Sequence, residues 1–346
     1  MSLCLKGNAL CAWPLRSALM AACAFVSAIV MSPISAMAAE FSADTVELRV
    51  GYSAGGGYDT FGRLVARHLG KYLPGNPDFV VQNQPGGGSL KLTLTTVASD
   101  ANDGSLIALV NSSMSTFPLF DEKGARFDPT ELVWIGSLAN ETSVCVMTKQ
   151  SGVSTVEDFL SKDFIVGATD RGATTYQFPA LLKNLFGANF RIVTGYPGGP
   201  EIMLAMEQDE LQARCGYSWS SLKGSPEENK FNRIGQIGLT KNKDLPDLPL
   251  FYDMIESDLD KKAAALVLAP LRFYRAFVAP PSTDPEIADT LRQAFTKMTE
   301  DSEFLAEAAS LGLDVDAVPG DEIQQMVEDL QASDEAALKR ATELLE

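Results

Sequence analysis

Two glycine-rich turns hold the residues in this chain best suited to binding chemistry. Gly51-Tyr52-Ser53-Ala54-Gly55-Gly56-Gly57-Tyr58-Asp59 joins an expected strand, 46–50, to an amphipathic helix with Phe61, Leu64, Val65 and Leu69 on one face. Asn83-Gln84-Pro85-Gly86-Gly87-Gly88-Ser89 repeats the order of strand, glycine turn and helix. Glycine runs admit positive φ and let the backbone come close to a bound group. Unpaired N–H groups at a helix start, reinforced by the helix dipole, favour an anion there. The pair describes a cradle for a small acid.

Catalytic chemistry has much less support. Asp59, Asp170 and the single histidine, His68, are the candidate groups, and none has a recognisable partner in the sequence. There is no Gly-x-Ser-x-Gly elbow, no Gly-Lys-Ser/Thr phosphate loop and no His-Glu-x-x-His pair. No metal-ligand spacing is present, and no cofactor is expected.

The N-terminus places the cradle. Lys6 and Arg16 are the only charges before Glu40, an apolar run fills residues 18–30, and Ala36-Met37-Ala38 follows. A basic start, a short apolar core and an A-x-A site predict a signal peptide over 1–38, cleaved after Ala38, and hence export. Without Lys6 and Arg16, 26 basic residues face 45 acidic ones, a formal charge of −19. That argues against nucleic acid or an anionic membrane as partner. It leaves room for an acidic ligand, because glycine loops and helix starts hold anions locally. The mature chain keeps two cysteines, Cys145 and Cys215, both in strand-like runs. Two alternatives stand: a disulfide, or two buried thiols.

Strands are expected at 46–50, 79–82, 106–110, 134–138, 143–147, 164–168, 190–194, around Cys215, at 234–239, 273–279 and 313–315. Helices are expected at 60–72, 89–98, 176–186, 201–208, 284–299, 301–310 and 321–345. This alternation predicts an α/β fold with ligands at the carboxyl ends of strands. Glycine turns in both halves and a C-terminal return predict two lobes facing a hinged cleft: 39–140 with 262–346, and 141–261.

The chain resembles the substrate-binding proteins of tripartite tricarboxylate transporters, the Bug family of bacterial periplasmic receptors. The resemblance rests on five segments in order: Gly55-Gly56-Gly57-Tyr58-Asp59, Asn83-Gln84-Pro85-Gly86-Gly87-Gly88, Asp103-Gly104-Ser105-Leu106, Leu245-Pro246-Asp247-Leu248-Pro249 and Phe277-Val278-Ala279-Pro280-Pro281. It implies a monomeric two-lobed periplasmic binding protein of the Venus-flytrap kind, which closes on a small carboxylate and delivers it to membrane permease subunits. It also implies that backbone amides hold the acid. That role falls on Ser53, Ala54, Gly55, Gly56, Gly57, Tyr58 and Asp59, then on Gly87, Gly88, Ser89, Asn111 and Ser112. Arg171, Gly172, Ala173, Thr174 and Thr175 face them across the cleft. Tyr58, Tyr196, Tyr217 and Trp219 fall near strand ends, where aromatics can stack on a ring or cover an aliphatic chain. Arg171 and Arg275 are candidates for bidentate contact with a carboxylate. The alternative roles are a ligand sensor feeding a signalling system and a secreted α/β enzyme acting on a carboxylate.

Overall fold

The computed structural model describes residues 41–121 and 124–346. The signal segment expected over 1–38 lies outside the described residues. In chain order the strands are β1 (Thr45–Val50), β2 (Asp78–Asn83), β3 (Leu106–Val110), β4 (Val133–Ala139), β5 (Ser143–Thr148), β6 (Ile165–Gly167), β7 (Arg191–Val193), β8 (Ala213–Ser218), β9 (Phe231–Ile237), β10 (Tyr274–Ala279) and β11 (Val318–Pro319).

They form two sheets, one per lobe of a two-lobed α/β fold. The first has the order β11-β4-β10-β3-β1-β2 and the second β7-β6-β8-β5-β9. The neighbours of β1 are parallel, as helical crossovers require. The returning strand β10 runs antiparallel to β3 and β4, and β5 runs antiparallel to β8 and β9. Leu-Ile-Ala-Leu-Val of β3 is buried throughout, the uninterrupted apolar run of a strand covered on both faces. Phe61, Leu64 and Val65 of the helix Gly57–His68 pack on this sheet. Gly62 lets that helix sit close, since a Cβ there would stand 2.9 Å from Val50 Cγ2.

Some elements differ from expectation. Residues 313–315 follow a left-handed Gly312 and pair with nothing; the short strand is Val318–Pro319, opposite Ser137 and Gly136 of β4. The single long C-terminal helix is two, Gly320–Gln331 and Glu335–Leu345, because Asp334 caps a new start by accepting from Ala337 N–H at 3.1 Å. That last helix packs on the helices Asp258–Leu268 and Thr174–Phe186. Arg340 is paired to Asp260 at 2.7 Å, and Asn184 donates to the Leu344 carbonyl at 2.9 Å. The segment expected to complete the first lobe thus ends against a helix that covers the second sheet.

Cys145 of β5 and Cys215 of β8 lie side by side on neighbouring strands, with Cα atoms 4.0 Å apart and sulfurs at disulfide distance. Among the described residues no helix is long and apolar enough to cross a membrane.

Candidate functional site

The first glycine loop is organised by its own aspartate. Asp59 accepts from Gly55 N–H at 2.9 Å, from Arg63 Nε at 3.0 Å and from Asn83 Nδ2 at 2.9 Å. Burial opposes its ionisation, but the bonds from Arg63, Gly55 and Asn83 outweigh burial and hold its pKa below the ordinary carboxylate value. Asp59 therefore shapes the loop instead of facing a ligand. Gly55 carries the positive φ (+81°), whereas Gly56 is extended at −87°. Ser53 Oγ donates across the gap to Glu201 at 2.8 Å, and Ala54 is exposed.

The second loop is a wall. Gly86, Gly87, Gly88 and Ser89 all have positive φ, and a Cβ on Gly88 would lie 2.5 Å from Ala173 Cβ of the other lobe. Ser89 Oγ accepts from Asn111 N–H at 3.1 Å. Asn111 Nδ2 donates to Tyr52 Oη at 2.5 Å. Ser113 Oγ reaches the Gly172 carbonyl at 2.6 Å. The lobes thus touch at Gly88 with Ala173 and at Ser113 with Gly172, and Gly87, Gly88, Ser89, Ser112, Gly172 and Ala173 do not line the space between them.

That space is a cavity of about 400 Å³, within the usual size range for small-molecule sites. Ser53, Gly55, Gly56, Gly57, Tyr58, Asn111, Thr174, Thr175, Tyr217 and Arg275, all expected from the sequence, line it. Three of the expected residues point elsewhere. Arg171 lies over the Tyr176 ring in a separate groove beside Phe117 and Leu345. Trp219 starts a short helical turn that swings it to another cavity with Glu141 and Thr142. Tyr196 packs half-buried against the second lobe's core.

The sequence reading missed Arg214. Arg214 and Tyr217 are three apart, which in a regular strand puts them on opposite faces. Gly216 between them is left-handed (φ +71°) and the β5–β8 register shifts there. The alternation is reset, and the Arg214 guanidinium stacks 3.9 Å from the Tyr217 ring centre. Gly199 admits it closely, since a Cβ there would meet Nη2 at 2.7 Å. Opposite, Arg275 is 3 % exposed and left-handed at φ +63°. That turn brings adjacent Tyr274 and Arg275 to the same cavity. The Arg275 guanidinium lies 4.2 Å from the Tyr58 ring centre, and Nη2 donates to Ser218 and Ser221 Oγ, each at 2.9 Å.

Among the described residues neither arginine has an Asp or Glu oxygen within 4.0 Å, and the Nε of each is buried without a partner. Burial, with the like charge of Arg275 adding, pushes Arg214 below its ordinary pKa. Unpaired buried charge costs several kcal/mol, so this pair of guanidiniums favours an anionic partner. The helices Gly57–His68, Thr174–Phe186 and Gly199–Glu207 each present their first residue to the same cavity and add positive dipole ends. Burial raises Tyr52 and Tyr58, which keeps both as neutral phenols.

Comparison with known proteins agrees with this architecture. A curated Cupriavidus necator protein, the UPF0065 protein in the gbd 5' region, is 26% identical over 282 residues, covering 77% of each chain. The solved periplasmic binding protein BugD superposes with a TM-score of 0.69 at 18% identity, over 87% of this chain and 96% of its own. An R. palustris protein solved with adipate gives 0.68 at 16% identity, over 87% and 97%. Residues 62–342 match the model of the tripartite tricarboxylate transporter family receptor, and the chain belongs to that family of periplasmic solute-binding proteins.

Proposed function

We propose that this receptor works in the periplasm, captures a small organic acid between its two lobes, and delivers it to the membrane subunits of a tripartite tricarboxylate-type transporter. The observation that carries the ligand class is the pair of buried guanidiniums, Arg214 and Arg275, facing one cavity without a carboxylate partner. A bound acid would supply the balancing charge through bidentate contact, with Thr174, Thr175 and the amides of Gly56 and Gly57 as neutral donors. The R. palustris neighbour was solved with adipate, and family membership supports the transporter role.

Native mass spectrometry of gently purified protein should show a monomer, a fraction of it carrying an acid. A thermal-shift screen should raise the melting temperature for some acids and for no amines or neutral sugars, since a ligand that binds only the folded state stabilises it by mass action. The acid recovered after incubation should be chemically unchanged. Shifts from amines or sugars alone would refute the acid assignment, and conversion of the acid would refute the receptor role.

A further inference from the structure

We infer that the ligand is an amphipathic acid bound charge-first, its carboxylate at Arg214 and Arg275 and its apolar body running along the helix Gly199–Glu207 to the open end of the cavity. This deepens the organic-acid reading and rests on it. Gly199, Pro200, Met203, Leu204 and Glu207 of that helix all line the cavity. Eight residues of rise make its long axis about 12 Å.

The two ends differ in chemistry. Arg214 stands beside Gly199 at the start of this helix, and Arg275 beside Gly57 at the start of the helix Gly57–His68, which lines the same cavity. They are the only lysine or arginine side chains among the described residues that line the cavity. On this helix the cavity is lined by Met203, 8 % exposed, and by Leu204, 53 % exposed. The first lobe supplies Leu311, 45 % exposed, and the buried Leu313. Two large exposed leucines, one from each lobe, thus line the cavity where it meets solvent. The acidic groups that line the cavity are Glu207, which is paired with Lys230 outside it, and Glu227.

A dicarboxylate long enough to fill the cavity would set its second carboxylate away from both arginines, and no other lysine or arginine among the described residues lines the cavity to pair with it. A single acid head with a body of about six carbons or one aromatic ring matches both ends. Lobe closure then brings Leu204 and Leu311 onto the apolar body.

Calorimetry on the mature receptor with butyrate, hexanoate and adipate tests this. Each methylene removed from water is worth about fourfold in affinity. Hexanoate should therefore bind about fifteenfold more tightly than butyrate, and at least tenfold more tightly than adipate, which has the same length. Leu204→Asn and Leu311→Asn, both at exposed positions, should cost hexanoate about tenfold and leave butyrate within twofold. Leu204→Arg should reverse the order of hexanoate and adipate. Adipate binding as tightly as hexanoate to the unaltered protein would overturn the inference and leave the organic-acid reading intact. Silence from all three acids, in protein that melts cooperatively, would overturn both.

Discussion

The two lobes offer an arginine each to the same cavity, and they hold it in opposite ways. Arg275 of the first lobe is locked: it is left-handed, stacked on Tyr58, and tied through Nη2 to Ser218 and Ser221 of the other lobe. Arg214 of the second lobe has the Tyr217 face on one side, the start of a helix beside it, and no side-chain hydrogen bond that orients it. The first arginine joins the lobes as well as supplying charge; the second supplies charge alone. The frameworks behind them differ too. Arg214 is next to Cys215, whose sulfur meets Cys145 on the neighbouring strand, whereas the first sheet holds no cysteine among its described strands.

The largest effect expected from this contrast is on stability. A bridge across 70 residues of chain closes a long loop, and its loss costs about 2–4 kcal/mol. Cys145→Ala with Cys215→Ala should lower the denaturation free energy by that amount, measured by urea unfolding. Mass measurement with and without reduction before alkylation reports the bridge itself. Two free thiols in protein purified from the periplasm would remove this difference between the lobes.

The next effect separates the arginines. Arg214→Met deletes charged hydrogen bonds worth about 1.5–3 kcal/mol, a loss of roughly 10- to 150-fold in acid affinity. The ligand-free protein should melt no lower, and even higher, because an unpaired buried charge has gone. Arg275→Met should lose similar affinity and, in addition, the contraction that small-angle scattering detects on ligand addition. If both variants close normally, Arg275 does not join the lobes.

The glycine loops sharpen the same contrast at lower magnitude. Gly88→Val puts a branched side chain at φ +60° and into Ala173, which should hinder closure and weaken binding by about 1–3 kcal/mol. Gly56→Val should cost less. Its backbone is extended, and its added Cβ would stand 3.2 Å from Pro200 Cδ, tight but short of overlap. Calorimetry on the two variants orders them, and the reverse order would mean that the lobes meet at the first loop.

These comparisons also show what was legible in the sequence. The glycine turns and the βα rhythm could be read directly, because strand, turn and helix starts are local features. So could the lining roles of Thr174, Thr175 and Tyr217, which follow from position at strand ends and helix starts. Arg214 could not, because Gly216 breaks the alternation that would have turned it away from Tyr217. Trp219 and Arg171 were misdirected for a related reason: each is adjacent to cavity-lining residues, but one turn of backbone aims it elsewhere. The commitment of Asp59 to loop-building bonds, and of Ser53 to Glu201 across the gap, is a matter of side-chain competition that no spacing reveals.

The smallest predicted effect sits where the two lobes join. Glu141, between β4 and β5, is buried, accepts from Ser220 Oγ and, at 3.0 Å, from Thr142 N–H, and its own N–H donates to the Leu271 carbonyl at 2.8 Å. Burial raises its pKa, and the hydrogen bonds it accepts offset only part of that. In the folded protein Glu141 therefore keeps its proton to higher pH than in the unfolded chain. The sign follows: between the ordinary glutamate value, about 4.3, and the raised one, the native state binds more protons, so stability falls as pH rises through that window. Glu141→Gln keeps a neutral acceptor for Thr142 and removes the titration. Urea denaturation at successive pH values should show the decline in the unaltered protein and a flatter profile in the variant, with a difference below about 1 kcal/mol at the acid end. Equal slopes in the two proteins would mean that Glu141 is solvated at the junction, and that the joint between the lobes is open to water instead of packed.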